Sequence, residues 1–297
     1  MIEIIKVSKE FGDFKALDDV SIRIKKGTIH GIIGENGAGK TTLLQMLAGV
    51  YDVEQGKILI EEESVYDNNK IKKKIGYVAD RNQYFKDYKI KEMVEFYSGI
   101  YDDFSREDFQ EYNKIFKLNL DKKIKQLSKG MQMRLSLMLN LATRPEVLIL
   151  DEPTSGLDAI IKKDLLDILI NQVYENNLTI VISSHHISEL EKICDEVTIL
   201  NEGKVKYQSN IDQIKENVKK LQVIFKEDVK DEINQVDNII NIEKIGSIYY
   251  LVTDNYGEKL IDDLNNLGAQ LIENIGITLE EIFIYTNKNR NRGEIHE

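Results

Sequence analysis

Gly34, Glu35, Asn36, Gly37, Ala38, Gly39, Lys40, Thr41 and Thr42 run consecutively and match the phosphate-cradling pattern in which four free positions separate a glycine from Gly-Lys-Thr. Glycines let backbone N–H groups approach phosphate oxygens, and a helix starting at the same point adds the positive end of its dipole. Lys40 supplies a mobile cation and Thr41 the hydroxyl that such loops offer to magnesium. The stretch therefore reads as a nucleoside triphosphate site. A second chemically capable pair, Asp151 and Glu152, follows the apolar run Val147 to Leu150, at the strand end where α/β sheets bind ligands. Neighbouring strand residues point to opposite sides. The spacing thus predicts one carboxylate facing magnesium and the other facing the attacking water, as a phosphate-loop hydrolase needs.

These residues require a framework. The apolar run Ile29 to Ile33 reads as a strand, Leu43, Leu47 and Val50 recur at helical spacing, and Gly49 stands where a helix would stop. Before the loop, Ile2 and Ile4, then Val20, Ile22 and Ile24, alternate with polar residues, which suggests an antiparallel start to the chain. Short strands are expected at Lys57 to Ile60 and Ile75 to Val78. Between Tyr84 and Thr143 apolar residues recur every three or four positions, predicting an inserted helical subdomain over about 84–143. Val147 to Leu150 and Thr179 to Ile182 read as parallel strands buried on both faces, with a helix from about Ile160 to Val173 between them. The fold class is α/β.

Beyond Gly203 the pattern changes. Leu221, Val223 and Phe225 alternate, 229–236 suggests a helix, and Ile240 to Ile245 with Ile248 to Val252 forms a hairpin turning at Gly246-Ser247. Leu260, Leu264 and Leu267 mark a helix stopped by Gly268, and a last strand lies near Leu271. The order β-α-β-β-α-β is the split, ferredoxin-like arrangement. Thr278 with Glu281 forms a capping box for one more helix. The expected division is a nucleotide-binding domain over 1–215, a small α+β domain over 216–287 and a polar tail over 288–297.

Composition narrows the function. With 297 residues the chain has room for two domains, at about 150 residues each. Its 40 Lys and Arg against 51 Asp and Glu leave a net charge of -11, which argues against a nucleic-acid partner. Cys194, the one cysteine, allows no internal disulfide and suits a reducing compartment. No apolar run is long enough to span a membrane, and Met1-Ile2-Glu3 does not start a signal peptide. A cytoplasmic location is expected, and any transport role would need a separate membrane partner.

Three further motifs carry a family resemblance. Leu127-Ser128-Lys129-Gly130-Met131 precedes the strand that ends at Asp151, Ser155-Gly156-Leu157-Asp158 follows it, and Ser183-Ser184-His185 ends the next strand. In this order they resemble the signature sequence, the D-loop and the switch histidine of ABC-type ATPases, over roughly residues 1–210, and the chain is identified as a member of the ABC transporter ATP-binding subunits. The resemblance implies a P-loop ABC ATPase core with an antiparallel β subdomain. It also implies a head-to-tail dimer, made with itself or a close homologue, that sandwiches two ATP molecules with Mg2+. Residues 34–42 would then bind nucleotide, with Phe11 stacking on adenine. Glu152 would be the catalytic carboxylate, His185 would contact the γ-phosphate, and Thr41, Asp80 and Asp151 would serve the metal. Ser128, Lys129, Gly130, Met131 and Asp158 would act on the partner's nucleotide. Ser128 is in any case a good N-cap for the helix through Ala142.

The chain also departs from the family. Lys129 and Met131 replace a glycine and a glutamine of the signature, and Lys129 either faces phosphate or is solvated. Asp80 stands where the family's magnesium-sensing glutamine is usual, with Gln83 as the other candidate for that role. The resemblance implies an ATPase subunit that drives a separately encoded transmembrane permease from the inner face of the membrane, in an export-type branch. The alternative is a soluble ABC-type ATPase acting as a mechanical or regulatory module. Against two such classes, Gly34 and Ser128 lie too close together for a long heptad arm, and each motif occurs once.

Overall fold

The structure, a computed structural model, describes residues 1–81 and 84–285. Gln83 and the tail 288–297 lie outside the described residues. The chain forms two compact units, Met1–Gln208 and the part from Ser209 onward.

In the first unit, β1 (Ile2–Phe11) and β2 (Phe14–Ile24) pair antiparallel around a turn at Gly12, whose φ of +59° suits glycine. Their alternation buries Ile2, Ile4 and Val7 beside Val20, Ile22 and Ile24. β3 (Ile29–Ile33) is buried throughout and leads through the phosphate loop into α1 (Lys40–Leu47). Helix α1 stops short of Val50, which was expected on its apolar face and is exposed instead. β4 (Gln55–Ile60) pairs antiparallel with β1, and β5 (Glu63–Ser64) completes a four-stranded sheet in the order β2-β1-β4-β5.

After α2 (Asn69–Lys72) and β6 (Ile75–Val78) come three longer helices, α3 (Ile90–Ile100), α4 (Arg106–Phe116) and α5 (Lys129–Ala142). Helix α5 is anchored to β6 by Asn140, whose Oδ1 accepts the Tyr77 N–H at 3.0 Å while its Nδ2 donates to the Ser136 carbonyl at 2.8 Å. That bond satisfies a backbone donor which β6, at the edge of its sheet, could not pair within the ladder. The chain then runs through β7 (Val147–Asp151), α6 (Ala159–Asn176), β8 (Thr179–Ser184), α7 (Ile187–Leu190), β9 (Glu196–Asn201) and β10 (Lys204–Asn210).

The central sheet has the order β10-β9-β3-β8-β7-β6, with β9, β3, β8, β7 and β6 parallel. Because β3, β8 and β7 are consecutive and parallel, their carboxyl ends deliver the phosphate loop, Ser183 to His185, and Asp151 with Glu152 to one edge of the sheet. The fold thus sets beside the phosphate loop two motifs that lie more than a hundred positions further along the chain.

The second unit begins with α8 (Ile211–Asn217) and β11 (Lys219–Phe225). It continues through α9 (Lys230–Ile233), β12 (Ile239–Ile245), β13 (Ile248–Thr253), α10 (Glu258–Asn266) and β14 (Ala269–Ile275). Its sheet is antiparallel in the order β12-β13-β11-β14, the ferredoxin-like topology expected from the element order. Leu221, Val223 and Phe225 pack with Tyr249, Leu251, Leu260 and Leu264 to form its core. Residues 279–285 are helical behind the Thr278–Glu281 capping box, in which each residue's side chain accepts the other's N–H, at 2.9 and 3.1 Å.

Candidate active site

The phosphate loop is built by close packing as much as by conformational freedom. Gly37 and Gly39 hold φ of +87° and +99°, in the left-handed region that only glycine enters without strain. Gly34 needs no positive φ, but a Cβ there would lie 2.6 Å from the Leu200 carbonyl oxygen and 2.9 Å from Ala38 Cβ. Gly39 is also the N-cap of α1, with no side-chain cap and no acidic residue in the first turn. The helix end therefore lacks an anion of its own. Lys40 is buried and folds back over the loop, donating from Nζ to the carbonyls of Gly34 at 2.7 Å and Glu35 at 3.2 Å. Glu35, Asn36, Gly37 and Thr41 are exposed, Thr42 is half-buried and Ala38 is buried.

Asp151 ends β7 fully buried, and its Oδ1 accepts the Ser183 hydroxyl at 2.7 Å. Burial pushes its carboxyl above the usual range, and the charges of Glu152 and Asp80 add to this, while hydrogen bonds from Ser183 and Thr41 oppose it. Glu152 departs from the expected strand alternation. Its φ is +50°, so the chain has already left β7, and the two carboxylates are separated by a left-handed turn. The cause is local: the Glu152 N–H donates to Ser183 Oγ at 3.0 Å instead of continuing the ladder. One Glu152 oxygen lies 2.7 Å from His185 Nδ1 and the other 3.8 Å from Lys40 Nζ. His185 is exposed, as is His186, which N-caps α7.

A second cluster gathers the residues expected to act across a dimer. Ser128 N-caps α5 as anticipated, its Oγ accepting the Met131 N–H at 3.3 Å. A Cβ on Gly130 would lie 2.9 Å from the Gly156 carbonyl oxygen, so the signature turn rests directly on the D-loop backbone. Asp158 N-caps α6 through the Ile161 N–H at 3.0 Å and also receives Arg134 at 3.3 Å. Lys129 is neither free in solvent nor beside the phosphate loop: its Nζ donates to Asp80 Oδ1 at 2.6 Å and to Ser155 Oγ at 3.3 Å.

The structure thus brings Lys40, Thr41, Asp151, Glu152 and His185 into one cluster, and Asp80, Ser128, Lys129, Gly130 and Asp158 into another. Among the described residues, no hydrogen bond or ion pair joins 128–131 to the loop 34–39 of the same chain. Phe11 stands apart at the tip of the β1–β2 hairpin, partly exposed, its ring edge-on to Tyr51 at 5.4 Å. The hairpin nonetheless adjoins the loop, since a Cβ on Gly39 would lie 2.6 Å from the Ala16 carbonyl oxygen. Ser183 was missed as a functional residue. Its signal was the parallel pairing of β7 with β8, which sets Ser183 beside Asp151.

A family profile described as ABC transporter matches residues 17–155. The chain is similar to the ABC transporter ATP-binding protein YtrB of Bacillus subtilis (strain 168), with 31% identity over 284 residues that cover 96% of this chain and 97% of the relative. It is also similar to the bacitracin transport ATP-binding protein BcrA of Bacillus licheniformis, 34% identical over 74% of this chain and 73% of that one. Among solved structures, one described as the dimeric structure of a bacterial ABC transporter cassette superposes with a TM-score of 0.65 and 25% identity. It covers 71% of this chain and 99% of its own.

Proposed function

The chain belongs to the ABC transporter family of ATP-binding proteins, since its identity to YtrB extends over nearly the whole of both chains, and from that we propose that it is the ATP-hydrolysing subunit of a transporter whose nucleotide sites are completed only between two copies. It is an ATPase by class. The observation that carries the two-copy reading is the partition of the motifs into two clusters, each lacking what the other holds. The phosphate loop has Lys40, Glu152 and His185 but no signature residue within bonding reach. The helix end of α5, with its Ser128 cap, has no phosphate loop beside it.

Lys40 satisfies its ammonium with loop carbonyls. On ATP binding it would exchange these neutral acceptors for phosphate oxygens, a stronger charge-assisted contact. Glu152, held by His185 Nδ1, is placed to take a proton from water, and His185 fixes the carboxylate that does so. The donors suit magnesium: Thr41 and Asp151 offer hard hydroxyl and carboxylate oxygens, and the Ser183 and Thr41 hydroxyls hydrogen-bond the buried Asp151 carboxylate. No group of three His, Cys, Asp or Glu side chains that could hold a metal alone exists among the described residues, so the remaining ligands would come from phosphate, water and, as the resemblance implies, Asp80. Magnesium, when bound, would offset the triphosphate charge during transfer.

A permease partner is supported by an exposed aromatic patch that follows Asp80 in the chain. Phe85, Tyr88 and Phe96 are each at least 40% exposed, with ring centroids 5.0 and 5.5 Å apart. Solvated aromatic clusters of this kind mark interaction surfaces. No helix among the described residues is long and apolar enough to cross a membrane, so this subunit would meet the membrane through the permease, on its cytoplasmic side. The export direction rests on relatives described as bacitracin and lantibiotic transport proteins. Complementation tests the shared site. Lys40→Ala and Ser128→Arg chains are each expected to be inactive alone, and a mixture is expected to regain ATP turnover because it holds one intact composite site. A mixture as inactive as its components would place both motifs in a single-chain site.

A further inference from the structure

Asp80 and Lys129 are two positions at which the chain departs from its family, and in the fold they meet. Lys129 is the first residue of α5, where the helix dipole is positive and a lysine is unfavourable unless an anion answers it. Asp80 is that anion, 2.6 Å from the ammonium, and Ser155 of the D-loop takes a second bond at 3.3 Å. The same exchange answers the charge of Asp80, which, like that of Glu152, acts on the buried carboxylate of Asp151. One ammonium thus ties together the loop that follows β6, the start of the signature helix and the D-loop. Both side chains stay partly accessible, at 35% for Asp80 and 50% for Lys129, so the pair can open without unfolding its surroundings.

We propose that Lys129 is a positioning residue that holds Asp80 in an exchangeable latch, which opens when the magnesium of bound Mg-ATP competes for the Asp80 carboxylate. The proposal rests on the nucleotide-site reading above and adds a link that reading lacks. Occupancy of a chain's own phosphate loop would release the ammonium and the signature turn that serve the partner's nucleotide. The two substitutions then compensate each other, since the Lys129 ammonium answers the charge that Asp80 brings.

The test measures binding of a fluorescent ATP analogue, with magnesium or with a chelator, at protein concentrations low enough to keep the chain monomeric. Opening an exposed ion pair opposes binding by about two- to fivefold. Lys129→Gln is therefore expected to tighten affinity by about that factor with magnesium and to leave it unchanged in chelator. Lys129→Arg keeps the wild-type value, and Lys129→Gln has no further effect once Asp80→Asn is present. Weaker binding by Lys129→Gln in both conditions would make the lysine a direct phosphate contact and overturn the latch. Unchanged affinity in both conditions would also overturn it while the nucleotide reading stands. A wild-type chain that binds no analogue would end both.

Discussion

Buried ionisable residues around the central sheet do different work according to what answers them. Two loop carbonyls accept from Lys40 Nζ, whereas His30, in the middle of β3, is fully buried with Nε2 2.8 Å from Thr198 Oγ1. Burial pushes the His30 imidazole down to about 4 from its ordinary 6.5. The unfolded chain therefore takes up this proton first, and the stability His30 contributes is complete above about pH 6.5 and lost as pH falls toward 4. At pH 5 the loss should be about 2 kcal/mol relative to pH 7. Denaturant unfolding at the two pH values should show this decline in the wild type and not in His30→Gln. Parallel declines in both proteins would assign acid sensitivity to other groups. At this scale the phosphate loop was readable because all its parts are consecutive. The Glu152 turn and the Asp80–Lys129 pair were not, because each depends on a partner brought in by the sheet or by α5 rather than by sequence neighbours.

At the scale of elements, helix α5 and the D-loop behave as one piece. Three contacts join them: Gly130 on the Gly156 carbonyl, Lys129 on Ser155 and Arg134 on Asp158. Backbone cannot yield as a flexible side chain can, so Gly130→Ala must displace the first turn of α5 from residues 155–158. Overpacking of this kind costs about 1–3 kcal/mol. Here it should appear as lost turnover with monomer affinity for ATP near normal, because the phosphate loop is untouched. Comparing steady-state hydrolysis with analogue binding separates the two effects, and full turnover in Gly130→Ala would show that this contact has no part in the reaction. Strands and hairpins were legible wherever one face is buried, as in Leu221, Val223 and Phe225, because period-two alternation survives in sequence. The end of α1 was legible in Gly49, which at φ +68° turns the chain away, although the helical spacing itself runs on to Val50.

For the whole molecule, the two clusters face a common requirement. Among the described residues, no hydrogen bond or ion pair joins the phosphate loop to the signature turn, and on the proposed reading two complete sites need two copies related by a twofold axis. The family resemblance was legible from motif order, and the single copy of each motif already pointed to pairing; the separation of the two clusters adds support for it. The central claim is that ATP holds two chains together until Glu152 allows its hydrolysis. Loss of a general base costs about 10²- to 10⁴-fold in rate without removing the phosphate contacts, so Glu152→Gln should trap the bound state. Light scattering on that protein measures this most directly. A mass that doubles on adding Mg-ATP, and falls back when the nucleotide is removed, is the expected result. A protein that stays monomeric at saturating Mg-ATP would contradict the shared-site account.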